Sequence, residues 1–393
     1  MLFRSNHRVN SVDQVIEWRR QLHRRAEVGF DLPRTIDYLH EVLAGLGLRI
    51  SDDIGGGFVA TLSHGPGPTI GIRADMDGLP IAEATGKAWS SEQANSMHAC
   101  GHDGHMAMAV GAAAALAASR DFSGTVHFIF QPAEEPGHGA QSMMKSGLFD
   151  LYPMDAIFGL HNLHGIPAGS LHTRPGAIMA SEDLFEIHIH GRGGHASRPE
   201  AVVDPLVIGA EIVTALQTIV ARSVAPTDVA VVSCTEFISD GARNAIPSNV
   251  VIKGDTRSFD QDVQATIERR MRELVDGITR AHGATGEVVY THEFAPTIND
   301  VHCTDIAVTS AINVVGADNV NPNCPAWAGS EDFGQFALQV PANFTFLGIG
   351  NDASEGGVPL HSRDYDFNDS VLDIGVKYYV DIVRRLLPAG AHT

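Results

Sequence analysis

Met97-His98-Ala99-Cys100-Gly101-His102-Asp103-Gly104-His105, followed directly by the small apolar run Met106 to Ala118, sets the frame for the rest of the chain. Cys100 and His102 stand two apart across Gly101, so a thiolate and an imidazole can converge on one ion if the backbone turns sharply there, and glycine supplies that turn. If a helix begins here, His102 and His105 fall at i and i+3 on one face. The run behind them is apolar on nearly every side, the pattern of a helix buried in a core. The spacing therefore predicts a buried helix with metal-binding side chains at its N-terminus. The competing reading is a loop whose histidines are incidental, in a chain that carries 20 of them.

At 393 residues the chain exceeds one comfortable core, so two domains are expected. Lys+Arg number 27 against Asp+Glu 47, a formal charge of −20. That balance repels nucleic acid and anionic membrane and leaves small molecules as the expected partners. Cys100, Cys234, Cys303 and Cys324 form no C-x-x-C pair, which argues for a reducing cytoplasm rather than a disulfide framework. Met1 to Asn10 is polar without an apolar h-region, and Met106 to Ala118 is too short to span a bilayer, so neither a targeting nor a membrane segment is expected.

Along the chain, Ser11 with Gln14 resembles a capping box ahead of a helix over Val12 to Arg25, and Pro33 opens a second helix that stops at Gly47. Strands follow at Phe58 to Leu62 and Thr69 to Ala74, the second running into Asp75-Met76-Asp77. Beyond the central helix, Thr125 to Phe130 ends in Gln131-Pro132-Ala133-Glu134-Glu135, and Ala156 to Leu160 ends in His161. A ligand-type residue thus recurs after each strand, where open α/β sheets place their sites. From Leu184 the texture changes. Phe185, Ile187 and Ile189 alternate with polar residues, and the order of strand, helix (Asp204 to Arg222), strand, strand, helix (Asp260 to His282), strand is the split βαβ or ferredoxin-like pattern. The expected division is residues 1–183 with 299–393 as one discontinuous domain and 184–298 as an insertion within it.

A further imidazole, His361, opens the segment His361 to Asp369. Together Cys100, His102, Glu135, His161 and His361 form a sulfur, nitrogen and oxygen set large enough for two divalent ions if one ligand bridges, and Cys100 is the natural bridge. A thiolate leans toward Zn²⁺, while histidine and carboxylate also admit Mn²⁺, Co²⁺ or Ni²⁺. Glu134 is then free to take a proton from a shared water and pass it to a leaving nitrogen, the chemistry of amide hydrolysis.

His98-Ala-Cys-Gly-His-Asp-Gly-His105, Gln131-Pro-Ala-Glu-Glu135, Gly159-Leu-His161, Gly193-Gly-His-Ala196, Gly329-Ser-Glu-Asp-Phe333 and the His361 to Asp369 segment together resemble the metal-dependent amidohydrolases that include hippurate hydrolases, N-acyl-amino-acid deacylases and auxin-conjugate hydrolases. The resemblance runs over nearly the whole chain. It implies an α/β fold, with a zinc-exopeptidase-like catalytic domain (a mixed sheet between helices) interrupted by a ferredoxin-like lid that mediates homodimerisation. It implies Cys100, His102, Glu135, His161 and His361 as ligands of two ions, with Cys100 bridging. Glu134 is implied as general acid/base, Asp77 as the carboxylate that orients a ligand, and His195 as the lid's contribution to catalysis. Asn244, Arg257 and Gly329 lie in segments that resemble those binding substrate, although Arg257 reads equally well as a structural strand-end arginine. The substrate so implied is a small N-acyl amino acid. Glu200 stands where relatives commonly carry histidine, a departure in the lid's substrate-facing loop. Asp75 is left without an assigned role. A dipeptidase or carboxypeptidase, and a non-catalytic metal-binding protein on the same fold, are the alternatives.

Overall fold

The computed structural model describes residues 12–390. Ser11, with the capping box expected of it, and the polar stretch Met1 to Asn10 lie outside the described residues. The chain forms two compact units. One takes the chain up to Ile178, Ile298–Pro325 and the chain from Asp332 onward; the other takes Met179–Thr297 with Ala326–Glu331. The short Ala326–Glu331 segment thus packs with the second unit, although its place in sequence lies beyond the βαββαβ stretch.

The main elements in chain order are α1 (Val12–Arg24), α2 (Pro33–Gly45), β1 (Phe58–His64), β2 (Thr69–Asp75), α3 (His102–Ser119), β3 (Gly124–Gln131) and β4 (Ala156–His164) in the first unit. The second unit holds β5 (Glu182–His190), α4 (Pro205–Ser223), β6 (Ala230–Ser239), β7 (Asn249–Ser258), α5 (Gln261–Ala281) and β8 (Thr285–Phe294). The first unit resumes with α6 (Val301–Val315), β9 (Ala342–Gly350) and α7 (Leu372–Leu386).

The first unit is built on a mixed sheet whose central order is β1-β3-β2-β4-β9. β1 runs antiparallel to β3, whereas β3, β2, β4 and β9 are mutually parallel. Parallel strands are buried on both faces and lose the alternating pattern, and all nine residues of β9 are buried. α3 packs between this sheet and the helices α1 and α7. Its residues from His102 to Ala114 are buried, and their small size lets neighbours come close. A Cβ on Gly104 would meet the ring of Phe367 at 2.2 Å. Because β2, β3 and β4 are parallel, their carboxyl ends share one edge, and Asp75, the Glu134 turn and His161 lie along it. His161 sits inside β4 rather than beyond its end, since the strand continues to His164.

In the second unit the sheet order is β6-β7-β5-β8, with every neighbouring pair antiparallel. With the sequence order βαββαβ this is the ferredoxin-like arrangement. Phe185, Ile187 and Ile189 of β5 face the core, as their alternation predicts. α4 is capped by Asp204, which accepts from the backbone N–H of Leu206, and α5 by Asp260, which accepts from those of Asp262 and Val263. Among the described residues α4 alone is long and apolar enough by composition to cross a membrane. It buries Ile208, Ile212, Leu216 and Ile219 at helical spacing in this unit's own core.

Candidate metal centre

Cys100 and His102 flank Gly101, which has φ +96° and sits immediately before α3. A side chain at Gly101 would collide with Asn162 Oδ1 at 2.2 Å and with the Tyr365 hydroxyl at 2.7 Å, so only glycine makes this entry into the helix. The turn brings Cys100, His102 and His161 together with ligand atoms within 4.8 Å of one another, all three buried. Cys100 Sγ lies 3.5 Å from His161 Nε2. The tautomers are set from behind. His102 Nδ1 is 2.8 Å from the backbone oxygen of Asp77, and His161 Nδ1 is 2.6 Å from that of Asn162. A carbonyl can only accept, so each Nδ1 carries a hydrogen, and once the ring is neutral its Nε2 turns a lone pair inward.

Glu134 and Glu135 leave the end of β3 through Ala133, a non-glycine residue at φ +46°. The carboxylate of Asp77 grips this turn, Oδ1 accepting from the Glu134 N–H at 2.9 Å and Oδ2 from that of Glu135 at 3.3 Å. Asp77 therefore orients His102 through its main chain and the glutamates through its side chain. From His102 Nε2 it is 3.6 Å to Asp75, 3.8 Å to Glu134 and 3.9 Å to Glu135. Asp75, unassigned from sequence, is held by Arg73 at 2.7 Å and by His105 Nδ1 at 2.6 Å. His105 brings a ligand atom within 4.8 Å of Asp75 and His102, but its Nε2 lies 2.6 Å from Asn162 Oδ1, so both of its nitrogens are already engaged. His98, fully buried with neither ring nitrogen hydrogen-bonded, falls in none of the ligand groups. Burial pushes its pKa down to about 3 and keeps it neutral.

Cys100 also belongs to a second group, with Glu135 and His361. His361 Nε2 is 3.6 Å from Glu135 Oε2, and its side chain is 55% exposed. It too has a positive φ, +61°, and its backbone N–H donates to the Ala99 oxygen at 2.8 Å. Two of the candidate groups thus share the Cys100 thiol, and His102 and Glu135 meet again in a further one with Glu134.

The electrostatics call for a cation. Burial opposes charge on His102, but Asp75, with Asp77 and Glu135, pushes its pKa up to about 10. Burial raises Glu135, and with Asp77 and Asp75 outweighing His102 it reaches about 7. Burial drives the shift of Glu135 and the neighbouring carboxylates drive that of His102, and Asp75 and Asp77 contribute to both. Burial also holds His161 well below the usual imidazole range, leaving it neutral, the form that ligates. Among the described residues His102 Nε2 and Glu135 Oε1 are buried without a hydrogen-bond partner. Divalent ions would meet both needs, and the donor set fits them.

Neither Asn162 nor Tyr365 stands out in the sequence, yet Asn162 Nδ2 donates to the Tyr365 hydroxyl at 2.8 Å and Asn162 touches both His105 and His161. Arg73 joins Asp75 to Gln131 and Asp332, so the Asp of Gly329-Ser-Glu-Asp-Phe333 supports the sheet edge beneath the site. Nothing in sequence spacing signals these contacts; only the fold brings them together.

The remaining site residues named from sequence lie in the second unit. His195 is exposed and paired with Ala245 in a two-residue ladder, and the Ala196 N–H donates to the Asn244 oxygen at 3.1 Å. His195 Nδ1 accepts from the Ser197 N–H at 3.1 Å and lies 2.7 Å from its hydroxyl, so the ring hydrogen sits on the exposed Nε2. Arg257 is engaged by Glu182 and Asp255, each at 2.9 Å, and by the Ser330 hydroxyl at 2.6 Å, beside Gly329. His195 and Asn244 thus form one group and Arg257 and Gly329 another.

Comparison with known proteins agrees with this geometry. Residues 71–385 match the model of peptidase family M20/M25/M40. The chain is 36% identical over 374 residues to a hippurate hydrolase of Campylobacter jejuni, covering 94% of this chain and 95% of that one. It is 35% identical to thermostable carboxypeptidase 1 of Saccharolobus solfataricus, over 92% and 93% of the two chains. Among solved structures it superposes with a TM-score of 0.83 on the Bacillus subtilis YXEP protein, described as a dinuclear metal-binding peptidase from the M20 family. That pair is 29% identical over 96% of this chain and 98% of the other. With a match that spans most of its length and relatives above 30% identity end to end, the chain belongs to peptidase family M20/M25/M40.

Proposed function

We propose that the chain is a metal-dependent amidohydrolase that cleaves N-acyl amino acids to a carboxylic acid and a free amino acid. One observation carries the reading: adjacent carboxylates are divided. Glu135 completes the group with Cys100 and His361, while Glu134, 5% exposed and 3.8 Å from His102 Nε2, is needed by neither group that contains Cys100.

Cys100, His102 and His161 are assigned to one divalent ion and Cys100, Glu135 and His361 to a second, with Zn²⁺ or Mn²⁺ first and Co²⁺ or Ni²⁺ compatible. Bound there, the ions would polarise the amide carbonyl and acidify a water. Glu134 takes the proton of the attacking water on its carboxylate and returns it to the amide nitrogen, so that the amine leaves neutral. Asp77 keeps Glu134 in place through its backbone N–H. His195, whose hydrogen is on Nε2, donates to the oxyanion of the tetrahedral intermediate. We assign this donor to the partner copy of a homodimer assembled through the second unit, which serves as the lid. Asn244, Arg257 and Gly329 are assigned to the substrate carboxylate, and Arg257 must loosen from Glu182 and Asp255 to take part. We assign the enzyme to the cytoplasm, a location that four scattered, unpaired cysteines favour.

A second reading, carboxypeptidase or dipeptidase, is favoured by the Saccharolobus relative's name. A panel of N-benzoyl and N-acetyl amino acids assayed beside free dipeptides, before and after chelation, separates the two. Metal-dependent cleavage of the acylated substrates is expected. Cleavage confined to free dipeptides would select the second reading, and metal binding with no hydrolysis would leave a non-catalytic metal-binding protein.

A further inference from the structure

Arg19, in α1, has no exposed surface and faces three carboxylates from two distant parts of the first unit. Its Nε lies 2.8 Å from Asp103 Oδ2, in the residue that follows His102 in α3. Its Nη2 donates to Asp366 Oδ1, and its Nη1 is 3.6 Å from Asp369 Oδ1. Asp366 and Asp369 belong to the loop that begins at His361. Asp103 is also bound by His23 Nδ1 at 2.8 Å, and Asp369 by Arg20 at 2.8 Å.

A structural role explains this poorly. Burying a guanidinium costs more desolvation than a comparable apolar side chain, and such pairs add little net stability; their best-attested use is to fix one arrangement against others. The arrangement in question is the spacing between the two ligand groups. His102 rides on the first turn of α3, whereas His361 rides on a loop at positive φ with a half-exposed ring, and Cys100 must reach both. Resting on the metal-centre reading above, we propose that Arg19 is a positioning residue that ties the loop of His361 to the first turn of α3 and so sets the distance between the two half-sites. The His361 N–H to Ala99 bond is a second link between this loop and the segment that leads into α3, and loss of the Arg19 tie frees the loop end while leaving α3 packed in the core.

The test is calorimetric titration of the full-length apoprotein with Mn²⁺. Wild type is expected to show two binding events, and His361→Ala to lose one and so identify it. Asp366→Asn/Asp369→Asn leaves the Arg19–Asp103 pair intact and is expected to weaken the His361-dependent event by about 10-fold to 100-fold, as loss of an outer partner of a ligand does. The other event should stay unchanged, and adding the double substitution to His361→Ala should have no further effect. Arg19→Lys, which keeps the charge and loses the fork, should fall between. Equal weakening of both events would show a general stabiliser and overturn the proposal, as would two undisturbed events. Should the double variant fail to fold, Asp366→Asn alone, which removes the charge that Arg19 Nη2 donates to and whose side chain is 18% exposed, gives the same contrast between events. A wild-type protein that binds neither Mn²⁺ nor, in a repeat titration, Zn²⁺ would instead overturn the metal-centre reading itself.

Discussion

The two candidate ligand groups that share Cys100 are built differently. Cys100, His102 and His161 are buried, with both histidines on regular elements and each Nδ1 tied to a backbone carbonyl. Glu135 and His361 sit on loops, and the turn before the one and the backbone of the other are at positive φ. Such conformations in non-glycine residues cost on the order of 1–3 kcal/mol each and persist only where surroundings hold them. Of the three non-glycine residues with positive φ among those described, two, Ala133 and His361, are at the centre. The contrast teaches that one half of the site is preorganised by the fold and the other is held by specific contacts: Asp77 on the glutamate turn, the Ala99 carbonyl on His361, and Arg19 beyond it.

The sharpest way to break this picture is at the glutamate pair. Glu134→Gln should retain fold and metal content yet lower kcat by about 10²-fold to 10⁴-fold, the usual contribution of general acid/base catalysis. Turnover near wild type in a metal-replete preparation would remove Glu134 from the mechanism. A smaller effect concerns the second unit. His195→Ala and Glu134→Ala should each be nearly inactive, and equal mixing with full subunit exchange makes about half the dimers mixed, each with one intact site, so activity should recover to roughly a quarter of wild type. A mixture no more active than its parents, with exchange verified, would reject a shared site.

The smallest effect is protonic. A histidine whose pKa is raised in the folded state stabilises it fully below the unfolded value and loses that contribution as pH climbs through the folded value. Metal-free protein should therefore lose stability from about pH 6.5 to about pH 10 through His102. Glu135, a carboxyl raised to about 7, adds a decline that begins near its unfolded value of about 4.3. Both slopes should flatten when metal is bound, and binding near pH 8 should release about two protons, one from His102 and one from the Cys100 thiol, read from the dependence of calorimetric enthalpy on buffer. Unchanged stability of the apoprotein across this range would contradict the buried excess of carboxylate.

Much of the buried half was legible in the sequence. An Ala-rich run behind Cys100-Gly101-His102 favours a core helix over the competing loop, and β-branched runs before Asp75 and the glutamate pair are strands by composition. The alternation in Phe185, Ile187 and Ile189 announced the second unit's sheet for the same reason. What stayed hidden had no local pattern. β9 is buried throughout and carries no period, and the ladder that holds His195 has only two residues per strand. Arg19 meets Asp366 across 347 residues, a contact that no spacing rule reaches. Arg257 left two readings open because a strand-end arginine looks the same whether it serves a substrate or only its neighbours, and its contacts with Glu182 and Asp255 fit either role.

Counting the metal bound per chain tests the shared-thiol centre most directly. Wild-type protein, Cys100→Ala and His361→Ala would be purified without added metal, equilibrated with Mn²⁺, desalted and analysed for their elements. Two ions are expected in wild type, one in His361→Ala, and fewer than one in Cys100→Ala, because only Cys100 belongs to both groups. Two ions retained by Cys100→Ala, or the same count in all three proteins, would contradict it.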